Sequence, residues 1–290
     1  MKKNFKRRVF SAFAFTLLAA ALFAGCNRSA RSAASDGAKV LKVAYEFDGM
    51  PFSYKDENGN DTGADVELFR LAEKYLPGYQ FEFIGTGDDD LVVGVTTGAY
   101  DIGLSNAFYT KERGERYLIP RENVGGAFLG LAVRNEHSDI TTFKQIAERG
   151  LKVSPLIAGN GITFQFEQYN EQNPNAQIKI EYSTDYAVWQ KQFDWLNEGR
   201  YDVVPTLQVV WDQQVAATDG VHHALLNKFK FNPLKPVKSY PLVSKVTLDN
   251  EFTSLLSEAL AKAKTEPKMA ELAVKFYGVN IYEYPYEAGW

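Results

Sequence analysis

The chain has 290 residues, 45% hydrophobic and 23% charged, with 32 basic against 36 acidic side chains and a formal net charge of −4. That apolar content excludes a disordered polypeptide, and the acidic balance excludes the basic footprint that nucleic-acid binding requires. One cysteine, Cys26, and three histidines, His137, His222 and His223, leave no internal disulfide and no metal-ligand spacing.

The first predicted element is a secretory leader over residues 1–25. Five bases lie within residues 1–8, an apolar run broken only by Ser11 and Thr16 follows to residue 24, and the small Ala24 and Gly25 precede Cys26. The run is shorter than the ~20 residues a helix needs to cross the hydrocarbon core, which argues against a membrane span. The stretch LFAGCN (22–27) resembles a bacterial lipobox, with Phe23 in place of the usual Leu. That resemblance implies that Cys26 receives a lipid and becomes the mature N-terminus. Beyond residue 25 the chain carries 27 bases against 36 acids. Residues 26–38 hold no large apolar side chain and read as a flexible tether.

Folded structure is expected from Lys39. The order is a strand at 40–45, a hairpin within 52–63 turning at Asn58-Gly59, and a helix at 64–76 with Val66, Phe69, Ala72, Tyr75 and Leu76 at helical spacing. Pro77-Gly78 stops that helix. A strand at 79–84, a helix at 89–97 and a strand at 100–104 follow. The pattern then restarts: strand 127–133, helix 143–149, strand 151–153, helix 163–169, strand 178–182, helix 187–198 and strand 201–204. Gly-Arg-Tyr-Asp at 199–202 echoes Gly-Ala-Tyr-Asp at 98–101. Two further helices, split near Pro267, fill 249–277. Alternating strands and helices predict an α/β protein of two lobes, each a mainly parallel sheet flanked by helices. Loops at the carboxyl ends of such strands converge on a crevice, so a ligand cleft is expected between the lobes.

Five motifs carry a resemblance: Leu41-Lys-Val-Ala, Pro51-Phe-Ser-Tyr, Gly63-Ala-Asp-Val-Glu67, Gly98-Ala-Tyr-Asp101 and Thr110-Lys-Glu-Arg113. In this order and spacing they resemble the amino-acid type of bacterial extracellular solute-binding proteins, the receptors of ABC importers. The resemblance spans about 40–280, and Phe276-Tyr-Gly278 is similar to the family's terminal motif. It implies a two-lobed type II periplasmic-binding-protein-like fold, with lobe 1 at 39–133 plus 241–290 and lobe 2 at 134–240. It implies crossing strands that leave lobe 1 near 132–135 and return near 240–245. It further implies a monomer, lipid-anchored to the cell envelope outside the cytoplasm, that captures an amino acid or related small carboxylate for a membrane permease. Neither a cofactor nor catalysis is implied.

The same resemblance assigns the ligand carboxylate to Arg113. A guanidinium returns two parallel, charge-assisted hydrogen bonds to a desolvated carboxylate in a geometry Lys does not match. From the residues alone, Lys111, Glu112, Arg113, Glu115 and Arg116 read first as a solvated charge cluster at a helix start, with Thr110 before it. Ser105 and Asn106, with Phe108, match the loop that shares the carboxylate, although Asn106 stands where a small hydroxyl residue is common. Gly161 and Thr163 belong to a glycine-rich loop that either completes this site or is a tight turn. Leu207, flanked by Thr206 and Gln208, replaces the Asp that usually holds the α-amino group. Glu46 and Asp88, on first-lobe loops, are candidates for the missing negative charge. Phe47, Phe108 and Trp211 offer an aromatic face or belong to the core, and His222-His223 reads as surface loop. The competing functions are a dehydratase-like enzyme on the same fold, with Glu46 or Asp88 as general acid, and a binding-only sensor or adhesin.

Overall fold

The computed structural model describes residues 37–185 and 187–283. The leader, Cys26 and all but the last two residues of the tether lie outside the described residues. No described helix is long and apolar enough to cross a membrane.

The first lobe is built around β1 (Lys39–Glu46). A side sheet of β2 (Asp48–Gly49), β3 (Ser53–Lys55) and β4 (Asp61–Thr62) leads into α1 (Ala64–Ala72) and one 3-10 turn. Then come β5 (Tyr79–Thr86), α2 (Asp88–Thr97), β6 (Ile102–Leu104) and the short α3 (Lys111–Arg116). β1 pairs in parallel with β5 along its whole length and with β6 on its other side. Both faces of β1 are covered: Leu41, Val43 and Tyr45 enter the core with α1, while Ala44 packs with Leu91 and Val95 of α2. A strand buried on both faces explains why its apolar residues run consecutively rather than alternate.

The second lobe contains β7 (Gly125–Arg134), α4 (Phe143–Arg149), β8 (Leu156–Ile157), α5 (Gly161–Gln172), β9 (Tyr182–Ser183), α6 (Val188–Asn197), β10 (Val203–Leu207), α7 (Gln208–Trp211) and β11 (Phe229–Ser239). Its main sheet, ordered β10-β7-β11, is antiparallel rather than mainly parallel. Parallel pairing here is limited to β8 with β9 and a bridge between Val153 and Val203.

Two expected strands shrink for a local reason. Asn170 donates to the Ile178 carbonyl at 2.8 Å and accepts from its N–H at 2.7 Å, so a side chain takes the ladder groups at the start of the 178–182 stretch, and only Tyr182 and Ser183 pair as strand. Likewise the Asp202 carboxylate accepts from Lys152 N–H at 2.9 Å, and 151–153 keeps a single bridge. The long β11 was unforeseen because it contains Pro233 and Pro236. It occupies the edge of the sheet and bulges between Pro233 and Lys235, where missing donors are tolerated.

β7 and β11 run side by side along their length, and the whole of β7, including the 125–133 stretch that a division at 133 assigns to lobe 1, pairs within the second sheet. The chain then returns through β12 (Leu242–Val243), which closes the first sheet beside β6. α8 (Asn250–Lys264) and α9 (Pro267–Tyr277) follow, and Phe252, Leu256 and Met269 join the core around α1. Where the crossing strands meet the first lobe, Asp65 is fully buried. A β-carbon at Gly125 would lie 2.4 Å from the Tyr277 hydroxyl, 2.8 Å from Asp65 Oδ1 and 3.3 Å from Ser239 Oγ, so these polar atoms converge on the bare face of a glycine. Burial pushes the Asp65 carboxyl up to about 7.

Candidate functional site

The carboxyl ends of the strands face a cavity of about 1130 Å³. From the first lobe Glu46 ends β1, Asp88 opens α2 just after β5, and Ser105 and Asn106 follow β6; all four line the cavity. Gly161 follows β8 and Leu207 ends β10 on the other side, and both line it too.

Arg113 and Phe108 also line this space. The guanidinium donates from Nη1 to the Phe108 carbonyl at 2.7 Å, so the arginine is held against the loop that follows β6. Its neighbours in the charge cluster behave differently. Arg116 donates to Glu112 at 2.7 Å across one helical turn, a half-exposed pair of the kind that contributes about 1 kcal/mol or less. Asn106 has φ 46°, a left-handed backbone that asparagine tolerates far better than Ser or Thr. This explains why it stands at a position where a hydroxyl residue is common. Its buried Oδ1 has no hydrogen-bond partner among the described residues.

Three expected site residues turn away. Thr110 is buried and caps α3, its hydroxyl accepting from Arg113 N–H at 3.1 Å. Thr163 is buried under α5 and donates to the Ile157 carbonyl at 2.6 Å, fastening the helix to β8. Gln208 is exposed beside Asp212 and is not among the cavity residues. At the start of α5, Asn160 caps the helix by accepting from Ile162 N–H at 2.8 Å, which takes up one of the free donors of the first turn.

The aromatic contribution is relocated. Trp211 is 7% exposed and stacks on Phe231 at 5.7 Å in the second-lobe core, and Phe47 is exposed outside the cavity. Trp189 on α6, 38% exposed, lines the cavity instead. Gln190, Gln192, Gln213 and Gln214 stand on the same lobe. Sequence reasoning missed them: α6 reads as an ordinary amphipathic helix, and Gln213 and Gln214 lie on a π-helical turn at Asp212–Ala216 that leaves no signature in composition. An exposed tryptophan in the first turn of α6 was the one available signal. His222, expected on a surface loop, is largely covered and packs on the Phe193 ring at 5.3 Å.

Electrostatics divides the walls. Burial, then the neighbouring Asp88 carboxyl, pushes Glu46 up to about 8. The described second-lobe cavity residues carry no ionisable side chain, and β10 ends in Leu207.

Residues 41–279 match the model of the bacterial extracellular solute-binding proteins, family 3, and the chain belongs to that family. Over 274 residues it is 23% identical to the L-cystine-binding protein TcyK of Bacillus subtilis (strain 168), covering 94% of this chain and 96% of the relative. A stretch of 110 residues is 30% identical to a probable histidine-binding protein of Neisseria gonorrhoeae, 38% of this chain and 41% of that one. Among solved structures, the probable amino-acid ABC transporter extracellular-binding protein ytmK of Bacillus subtilis matches with a TM-score of 0.62 at 22% identity, over 83% of this chain and 98% of its own. An ABC uptake transporter substrate binding protein from Streptococcus pneumoniae with bound histidine matches with a TM-score of 0.58 at 19% identity, over 83% and 94%. These structural likenesses establish the two-lobed type II fold.

Proposed function

We propose that this protein is the capture component of an ABC importer for an amino acid, with Arg113 receiving the ligand carboxylate and Glu46 with Asp88 receiving its cationic group. The observation that carries the reading is that a guanidinium, Arg113, and a carboxyl pair, Glu46 with Asp88, line one interlobe cavity. The matched relatives bearing the names of cystine- and histidine-binding proteins support an amino-acid cargo. Ser105, Asn106 and Phe108 form the floor beside Arg113, and Gly161, Leu207 and Trp189 supply the second-lobe wall. Closure of this wall on the ligand would give a permease a shape to read, and ligand shifts that equilibrium only through tighter binding to the closed form. Thr110, Thr163 and Gln208 are support or surface. The lobe division that fits the strand pairing is 39–124 with the segment after 240, against 125–240. Lipid attachment at Cys26, which would hold the receptor outside the cytoplasm beside its permease, completes the reading.

Calorimetric titration of the purified protein with the twenty amino acids and cystine, repeated with Arg113→Ala, tests it. Micromolar or tighter binding of one class, lost in the variant, is the expected result. Binding unaffected by the variant would remove Arg113 from the site.

A second reading rests on Glu46 alone. A carboxyl that stays protonated near neutrality is what a general acid needs, and a neighbour in the structural comparison is an ancestral amino acid-binding protein described as a precursor of cyclohexadienyl dehydratase. Mass spectrometry of the titrated ligands separates the two: unchanged ligand is expected, and a dehydrated product would make the protein an enzyme.

A further inference from the structure

The charge lining the cavity is lopsided. Glu46, Asp88, Asp89, Asp90 and Glu112 face Arg113 and Arg116, and Arg116 is paired with Glu112. The first-lobe backbone forces two of these acids together. Glu46 is opposite Thr86 where β1 and β5 end side by side, and Phe47 N–H donates to the Thr86 carbonyl at 3.2 Å. Asp88 follows two residues later as the first residue of α2, so both carboxyls stand at neighbouring strand ends on the wall of the cavity, and Asp88 disfavours the ionised form of Glu46. Two neighbouring carboxyl groups disfavour each other's ionisation, and one of them keeps its proton more readily.

We propose, building on the receptor reading above, that Glu46 holds a proton against Asp88 until a ligand cation enters, and that the cation displaces this proton to solvent. Capture is then coupled to proton release, and the site selects ligands that bring a positively charged group to the first lobe.

The acids around Glu46 act in one direction. Asp88 of α2, Asp48 of β2 and Asp65 of α1 each disfavour its ionised form, as does burial. Among the described residues, the second-lobe wall offers neutral polar side chains, Trp189 and apolar residues, with no titratable group to compete for the cation. A ligand ammonium or guanidinium therefore meets its counter-charge on the first lobe, and does so only by removing the Glu46 proton. Below about 8 that removal opposes binding, so affinity falls as the solution becomes more acid; above about 8 the proton has already left and affinity levels off. Between pH 7 and pH 6 the weakening is roughly tenfold for one coupled proton.

Two measurements test this. Carbon-13 NMR titration of the glutamate carboxyls in the purified protein without ligand, with Glu46→Gln for assignment, is expected to show one glutamate titrating near 8. A midpoint in the ordinary glutamate range, about 4.3, overturns the proposal whatever the ligand. Calorimetry with L-arginine, L-histidine and L-cystine at pH 7, in phosphate and in Tris, reads the proton through the difference in buffer heat. Release approaching one proton per bound ligand, abolished in Glu46→Gln, is expected. Binding with no buffer dependence overturns the proton coupling and leaves the receptor reading intact. Failure of these and all other amino acids to bind overturns the receptor reading and the coupling with it.

Discussion

Phe108 occupies the space in which Gly161 would carry a side chain: a β-carbon on Gly161 would lie 2.4 Å from that of Phe108. Phe108 comes from the loop after β6 and Gly161 opens α5, so a first-lobe ring rests directly on second-lobe backbone. The contact continues outward through Tyr109 against Phe164, with ring centroids 6.2 Å apart, and through Lys111 and Glu171 at 3.5 Å. The exposed ion pair adds little, whereas the ring-on-backbone contact is buried and sets how closely this side of the cleft approaches.

Gly161→Ala therefore overpacks the interlobe contact. The obstructing atom is close to the main chain of Phe108 and has no rotamer to escape into. A cost of about 1–3 kcal/mol is expected, visible as a lowered thermal midpoint of several degrees by differential scanning calorimetry. An unchanged midpoint would mean that the lobes do not hold this contact in solution.

Arg113→Lys and Arg113→Ala are expected to lose ligand affinity together, by at least about 100-fold, because a single ammonium does not replace two charge-assisted bonds of roughly 1.5–3 kcal/mol each. The lysine variant is the sharper test: retention of affinity would show that charge alone, without the planar fork, suffices. Circular dichroism on both variants checks that loss of the bond to the Phe108 carbonyl has not unfolded the loop.

Thr163→Val removes a buried hydroxyl and leaves the Ile157 carbonyl without its 2.6 Å donor. The carbonyl keeps the Asn160 N–H at 3.1 Å, so a stability loss of about 0.5–1.5 kcal/mol in urea unfolding is expected, with affinity unchanged for any ligand that Arg113 binds. A large fall in affinity at unchanged stability would return Thr163 to the site.

The contrast between Arg113 and Thr163 shows what the sequence reveals. Strand and helix identities in the first lobe follow from apolar spacing and from Pro77-Gly78, and Glu46, Asp88, Ser105 and Asn106 reach one cavity because each lies at or just after the end of a strand, with Arg113 joining them from α3. Side-chain direction is a different matter. Thr110 and Thr163 sit within two residues of cavity-facing positions, yet each hydroxyl has a nearer backbone partner, and spacing carries no record of that competition. Strands were misjudged where Asn170 and Asp202 replaced ladder partners, and β11 where edge position excused two prolines. Each miss is a tertiary contact overriding a local preference.

Asp65 gives a pH signature in stability. Its carboxyl stands at about 7 in the folded protein, above its ordinary value of 3.8, so the folded state binds the proton more tightly than the unfolded chain between these limits. Stability from this group is therefore lost as pH rises from about 4 to about 7 and does not return above it. Glu46 adds a loss of the same sign up to about 8. Asp65→Asn is expected to raise the thermal midpoint relative to wild type at pH 8 and to approach wild type at pH 4. A difference independent of pH would show that Asp65 acts by shape and hydrogen bonding alone.

The first sheet begins at Lys39 and is completed only by β12 at Leu242–Val243, and its core also needs Phe252, Leu256 and Met269. Every strand of the second sheet lies between those limits. During synthesis the second lobe thus has its full set of partners while the first still lacks an edge strand and two helices. The half of the molecule that starts first finishes last, leaving the apolar side chains of β1 and α1 to wait for the tail of the chain before they are sealed from water.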